Sequence, residues 1–397
     1  MGNSNAIEID FLWRLLDERY FLPGIETKRV VVKNSCNDDV ESVFSLSRKP
    51  SLPLEIHMPQ CGEIVSSEDG KMLFRKYPDG DVVLVLCLKQ ERAVVPNGVK
   101  YIGERAFCNS DVRFVELPDS VVKIIDYAFF ECQYLEEIRL SKNLRAIGHG
   151  AFKKCFLLRS LRFGDSLEKI GQSAFMGCVN LSHVELGNSV RYIEESAFES
   201  CDKLKDISLP ASLESLGEYA FPCLDNIRLE KMFPDFCNIL DAYKNSVASK
   251  TPFFCIEYCG RKLIIPKNFS GRGYTLIMDR LNSIRDLPVG IHALYKIAIT
   301  PRERFEVAME GFRMTRDPET GEFLRLNLLS FLKHAPNLSE EKMIEILDIF
   351  DEKHLIPYEP LDKLLNLAHR NGWMNASARL LKMSADAEGK KDDLFQI

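Results

Sequence analysis

An Ala-Phe pair returns along the middle of the chain at a nearly fixed interval, and no other feature limits the possible folds so strongly. Aligned on this pair, Phe107, Phe129, Phe152, Phe175, Phe198 and Phe221 are separated by 22 residues once and by 23 four times. Five residues before each Phe stands an aliphatic: Ile102, Ile124, Ile147, Ile170, Ile193 and Leu216. Eight before stands another: Val99, Val121, Leu144, Leu167, Val190 and Leu213. Downstream the register runs through Leu135, Leu158, Leu181 and Leu204, then Ile138, Leu161, Val184 and Ile207, then Leu140, Phe163, Leu186 and Leu209. A fixed period of this length means one supersecondary unit per interval, each burying its apolar face against the next.

One unit reads L-x-x-I-x-L-[PSG]-x-S-L-x-x-I-G-x-x-A-F-x-x-C, as in "IGHGAFKKC" at 147–155 and "IGQSAFMGC" at 170–178. A period of about 20 to 29 residues carrying L-x-x-L-x-L is the mark of a leucine-rich repeat. With its Ile-Gly-x-x-Ala-Phe segment and the turn in "VELPDSVVKII" (115–125), the pattern over about 94–230 resembles the BspA-type leucine-rich repeat. That resemblance implies a repeat solenoid with one short β-strand per coil of about 23 residues.

Strand alternation then sorts the side chains, since successive residues point to opposite faces. Ile138 and Leu140 face the core, and Glu137, Arg139 and Ser141 face outward. The same register turns Phe114, Glu116, Arg162, His183, Glu185, Asp206 and Arg228 to the outside. Arg139 and Arg162 are expected to be neighbours in adjacent coils. Because Arg and aromatic residues are favoured interface anchors, these outward residues are the candidate binding surface. Inside, the Phe positions form a ladder with rungs about 4.8 Å apart. Gly103, Gly148, Gly171 and Gly217 share one corner, read as a tight turn that needs backbone freedom. Ile125 and Glu194 hold that place in two coils, so positive φ is not expected throughout. Cys132, Cys155, Cys178 and Cys201 sit three residues after their Phe. They are read as small buried hydrophobes, since a line of thiols cannot converge on tetrahedral zinc.

The 397 residues are organised as an N-terminal helix and strand cap over 1–60, the solenoid over 61–230, a cap or connector over 231–289, and an α-helical domain over 290–397. A helix is expected over 6–20 and a strand within 24–33. Residues 231–250 look helical, and "FFCIEYCGRKLIIPK" (253–267) reads as a hairpin. "SEEKMIEILDIFDEKHL" offers Ser339 as N-cap, with Met343, Ile346, Leu347 and Phe350 on one face. The tail over 363–386 resembles an ankyrin helix pair, turning at Asn371-Gly372, without the Thr-Pro-Leu-His opening of that family.

For function the sequence excludes more than it assigns. The seven histidines fall in no metal-ligand or nucleophile motif, and there is no P-loop or G-x-G-x-x-G. "SGRGY" at 270–274 reads as a loop. No catalytic activity, metal or cofactor is expected. The net charge of -6, with 16 Lys and Arg against 20 Asp and Glu over 94–230, argues against nucleic acid. Glu8 and Asp10 interrupt any secretory leader, no apolar run spans a membrane, and twelve dispersed cysteines suit a reducing compartment. The expectation is a cytoplasmic, monomeric, non-catalytic scaffold that binds a protein on its strand face. The alternatives are an inhibitor or regulator masking another macromolecular machine in a bacterial conflict system, and the cell-surface adhesion that BspA-type resemblance implies.

Overall fold

The structure is a computed structural model that describes residues 63–242, 253–269, 271–286, 290–333, 337–352, 355 and 361–394. The helix expected over 6–20, the strand within 24–33 and the cap over 1–60 lie outside these residues, as do 243–250. The chain divides into two units, one holding 63–223 and 231–242, the other 224–230 and 253–394.

The first unit is a solenoid. It opens with an antiparallel meander of β1 (Glu63–Ser66), β2 (Met72–Lys76) and β3 (Val82–Cys87), turning at Gly70 and Gly80. Then each coil contributes two short strands. On one side lie β4 (Arg92–Val94), β6 (Phe114–Glu116), β8 (Glu137–Arg139), β10 (Ser160–Arg162), β12 (His183–Glu185) and β14 (Asp206–Leu209). On the other lie the two-residue strands β5 (Tyr101–Ile102), β7 (Lys123–Ile124), β9 (Ala146–Ile147), β11 (Lys169–Ile170), β13 (Tyr192–Ile193) and β15 (Ser215–Leu216). The two-residue strands pair in parallel without a break from β5 to β15, and β3 joins their sheet beside β5.

Between the two strand rows runs the phenylalanine ladder. Phe107, Phe129, Phe152, Phe175, Phe198 and Phe221 are fully buried and stack with centroid separations of 4.5, 4.8, 5.1, 5.0 and 4.8 Å, tilted by no more than 15°. That spacing is the inter-strand distance of a sheet, about 4.8 Å, so the backbone rise sets it. Every ring but that of Phe221 is held from its own backbone: Phe129 N–H donates to Ala151 O at 2.7 Å and Phe152 N–H to Ala174 O at 2.7 Å. The ladder therefore registers one coil on the next at every turn.

The corner glycines behave differently from expectation. None of Gly103, Gly148, Gly171 or Gly217 has positive φ; left-handed residues flank each Phe instead, two before it at Arg105, Tyr127, Gly150, Ser173, Ser196 and Tyr219, and in five coils two after it at Asn109, Glu131, Lys154, Gly177 and Ser200. What the corner requires is closeness. A Cβ on Gly171 would lie 2.7 Å from Gly148 C, and one on Gly217 only 2.2 Å from Glu195 N. The left-handed bends fall on residues of no common type, and glycine at the corner sits where coils touch.

The cysteines serve the stacking too. Cys132, Cys155, Cys178 and Cys201 are buried, and each thiol donates to the carbonyl of a Phe in the preceding rungs: Phe107 at 2.9 Å, Phe129 at 3.2 Å, Phe152 at 3.2 Å and Phe175 at 3.3 Å. Burial pushes the Cys155 and Cys201 thiols well above the ordinary value. These four thiols are expected to resist a soluble disulfide reagent in the folded protein and to react on denaturation. Labelling of Cys155 in native buffer as fast as in denaturant would contradict this.

At the far end of the two-residue row, β15 is closed by side chains. After a 3-10 turn at Pro234–Phe236 and helix α1 (Cys237–Ala242), Asp235 accepts from Leu216 N–H at 3.2 Å and from Ser215 Oγ at 2.7 Å. Asn238 Nδ2 donates to Leu216 O at 2.6 Å. A free strand edge is thereby satisfied without another strand.

The second unit is an α/β assembly. β16 (Asn226–Leu229) pairs in parallel with β17 (Phe253–Tyr258), which forms the expected hairpin with β18 (Arg261–Pro266) through left-handed Cys259 and Gly260. β19 (Ile291–Ala293) adds in parallel beside β18. "SGRGY" is not a plain loop, since α2 (Gly271–Asn282) begins within it and buries Ile277 and Leu281. α3 (Pro301–Thr315), α4 (Pro318–Lys333), α5 (Glu340–Glu352), α6 (Leu361–Arg370) and α7 (Met374–Leu394) follow. Their starts are marked as sequence rules require: Thr300 and Glu303 form a capping box, and Ser339 accepts from Lys342 N–H at 3.2 Å. Met343, Ile346, Leu347 and Phe350 are buried together with Phe305, Leu324 and Leu364, and α6 turns into α7 at Gly372.

Candidate functional site

The candidate surface is the row of three-residue strands. Its inward residues Val115, Ile138, Leu161, Val184 and Ile207 are buried, while Glu137, Arg139, Arg162, His183 and Asp206 are exposed and Phe114, Glu116 and Glu185 half-buried. A three-residue strand can alternate only once, and beyond it the pattern fails. Ser141, expected outside, is buried and its hydroxyl accepts from Asn143 N–H at 3.1 Å, while Leu140 is half-exposed. Arg228 is exposed on β16 in the second unit and meets Glu257 at 3.4 Å.

Charges on this face are paired along the coil axis. Glu116 receives Arg139 at 2.6 Å and Arg92 at 3.7 Å; Arg113 spans Glu91 at 3.0 Å and Glu136 at 2.6 Å, with its guanidinium 5.5 Å from the Phe114 ring centre. Glu185 accepts from Arg162 Nη2 at 2.9 Å and from His183 Nε2 at 3.0 Å. Such exposed pairs add little to stability, but they fix side-chain positions. Arg139 and Arg162 stand in successive coils as expected, yet they turn apart, one to the coil before and the other to the coil after.

Arg162 and His183 hold the Glu185 carboxyl at about 2, below its ordinary 4.5. A depressed acid keeps its pairing above the ordinary range and loses it as pH falls through the folded value. Carboxylate titration by NMR should give Glu185 a midpoint near 2, and Arg162→Ala should move it up toward 4.5. A wild-type midpoint already at the ordinary value would contradict the pairing.

The parallel ladder of this face is interrupted. β4, β6 and β8 form one sheet and β10 and β12 another, with no pairing between β8 and β10 or between β12 and β14. Over the first gap lies a cavity of about 620 Å³, lined by Phe114, Arg139, Leu140, Arg159, Arg162 and Phe163 among others. Sequence reasoning selected Phe114, Glu137, Arg139 and Arg162, which the structure brings to this cavity, but missed Arg159 and Phe163. The available signal was the ring at position 163, where the other coils carry Leu117, Leu140, Leu186 and Leu209.

Among the described residues no group of three or more His, Cys, Asp or Glu side chains could hold a metal ion, and no helix is long and apolar enough to cross a membrane.

Comparison with known proteins bears on the repeat region. No curated protein matches the chain. A leucine-rich repeat protein of T. pallidum is 30% identical over 41% of this chain and 85% of its own, with a TM-score of 0.35. A leucine-rich cell surface protein of Faecalibacterium prausnitzii is 20% identical, covering 55% of this chain and 63% of its own, at 0.35. The pneumococcal vaccine antigen PcpA is 20% identical over 43% of this chain and 51% of its own, at 0.38. Superpositions at these scores carry no functional argument. The family model of the BspA type leucine rich repeat region matches residues 100–228 in six copies. By these six copies, the chain belongs to the BspA-type leucine-rich repeat proteins.

Proposed function

We propose that the chain is a non-catalytic protein-binding module whose contact surface is the row of three- and four-residue strands from β6 to β14. The observation that carries this reading is a broad face whose side chains are pre-positioned. Buried residues alternate with exposed Glu137, Arg139, Arg162 and His183, and the Arg113, Arg139 and Arg162 guanidinia are fixed by carboxylates from adjacent coils. A partner meeting such a face orders little on binding, so less of its contact energy is lost to entropy. Phe114 and the arginines are the residue types that anchor interfaces.

The partner is a protein rather than nucleic acid, given the acidic excess over the repeat region. The chain is read as a monomer, and as acting in a reducing compartment, which the free thiols of the ten described cysteines suit. Fractionation of the native cells tests the location, and recovery outside the cell would favour an adhesive role. The surface is tested by affinity capture from those cells with wild type and an Arg139→Glu, Arg162→Glu, Glu185→Lys variant of equal thermal stability. Loss of the wild-type partners, by tenfold or more, is the expected result; unchanged capture would remove the strand face as the main site.

A further inference from the structure

The ladder of this face is open between β8 and β10, as it is between β12 and β14. In the flanking coils, Leu117 N–H donates to Arg139 O at 2.9 Å and Phe163 N–H to Glu185 O at 3.0 Å. The equivalent bond from Leu140 N–H to Arg162 O is absent, and among the described residues neither Leu140 N–H nor Arg159 N–H has a backbone partner across the gap. Buried backbone groups are almost always paired, so groups left open along a surface cleft are available to another chain.

Two local features accompany the break. The Phe163 ring, which packs 5.9 Å from the Phe175 ring, is larger than the leucine of the other coils. Its neighbours Leu140 and Leu186 are half-exposed, whereas Leu117 and Leu209 are buried. Arg139 and Arg162, like charges in facing strands, also oppose pairing.

The cleft has its own charge. Arg139, Lys142, Arg159 and Arg162 line it against Glu136 and Glu137; Glu136 is taken by Arg113, Arg139 by Glu116 and Arg162 by Glu185. Arg159 is exposed with no side-chain partner among the described residues, and Lys142 stands 4.0 Å from Asp119 with most of its surface in solvent. A chain of net charge -6 thus carries a basic cleft with Ile138, Leu140 and Phe163 in its wall. Its volume is within the ~300–1,000 Å³ of ligand sites.

We propose that this cleft docks an extended, acidic peptide segment of the protein partner. The open N–H groups of Leu140 and Arg159, which flank β8 and β10, bond its backbone, as in strand addition. Alternate side chains then meet the apolar wall and the arginines, whose planar forks donate two parallel hydrogen bonds to a carboxylate. This rests on the strand-face reading above and assigns the partner's chemistry.

The test uses the whole chain and a fluorescein-labelled ten-residue peptide of alternating Glu and Val, read by fluorescence anisotropy, with a Lys and Val counterpart. Wild type should bind the Glu peptide, more weakly as salt rises, and bind the Lys peptide at least tenfold less well. Arg159→Glu removes the unpaired cation, and Phe163→Leu removes the ring from the cleft wall. Each should weaken Glu-peptide binding at least tenfold while keeping the wild-type denaturation midpoint and circular dichroism. No binding of the Glu peptide, equal binding of the Lys peptide, or unchanged binding by both variants would overturn the proposal. Should the triple strand-face variant lose its cellular partners while Phe163→Leu keeps them, the cleft assignment falls and the strand-face reading stands. Should the triple variant keep them, both fall.

Discussion

Phe152→Ala is expected to destabilise the protein by about 3–5 kcal/mol, the range for emptying a buried aromatic site. The ring is fully buried and stacked on both sides, at 4.8 Å to Phe129 and 5.1 Å to Phe175. Its backbone N–H bonds the next coil, so the cavity cannot collapse by sliding one coil along the other. In a solenoid each unit is supported only by its neighbours, which makes position matter. Phe107 has a stacked partner on one side only, and Phe107→Ala should cost less than Phe152→Ala. Urea denaturation followed by far-ultraviolet circular dichroism checks both; equal midpoints for the two variants would show that the ladder does not transmit stability between coils.

Gly217→Ala should have an effect of similar kind at the corner. Its Cβ would stand 2.2 Å from Glu195 N and 2.4 Å from Glu194 C. These are backbone atoms of a stacked coil, so no side chain can swing away, and the coils must separate. Overpacking of this sort costs ~1–3 kcal/mol and occasionally more, and the backbone clash places Gly217 at the upper end. Gly271→Ala is the control: a Cβ there meets nothing within 4 Å, and a change within ~0.5 kcal/mol is expected. A Gly217→Ala protein as stable as wild type would mean that the corner is not set by close contact.

These two predictions also show where the sequence was readable and where it was not. The interval between Phe residues gives the coil, because a side chain buried in every unit must recur in every unit. The same logic made Ile102, Leu135 and Cys155 legible as interior. The corner glycines were placed correctly but for the wrong physical reason, since a one-letter pattern cannot separate a left-handed turn from a close approach. Arg105, Tyr127 and Ser173, which do take positive φ, share no side-chain chemistry that would have marked the site. In the second unit, Ser339 and the apolar spacing of α5 announced the helix. Gly271 and Gly273 obscured α2, since glycine is the poorest helix former short of proline.

The candidate surface was legible only as an orientation. Alternation correctly turned Glu137, Arg139 and Arg162 outward, then failed at Ser141 because the strand had already ended. The break between β8 and β10 depends on whether neighbouring coils pair, which no single coil states. Phe163 in place of leucine was its one trace, and its meaning depended on the half-exposed leucines on either side.

The buried ladder is proposed to present the β6-to-β14 strand row to a protein partner. Site-specific photocrosslinking in the native cells tests that most directly, with the crosslinker placed in turn at 139 and 162 on this row and at 123 and 169 on the two-residue row. Crosslinked partner from 139 and 162, with little from 123 and 169, is the predicted result. Crosslinks from 123 and 169 in place of those from 139 and 162 would contradict it.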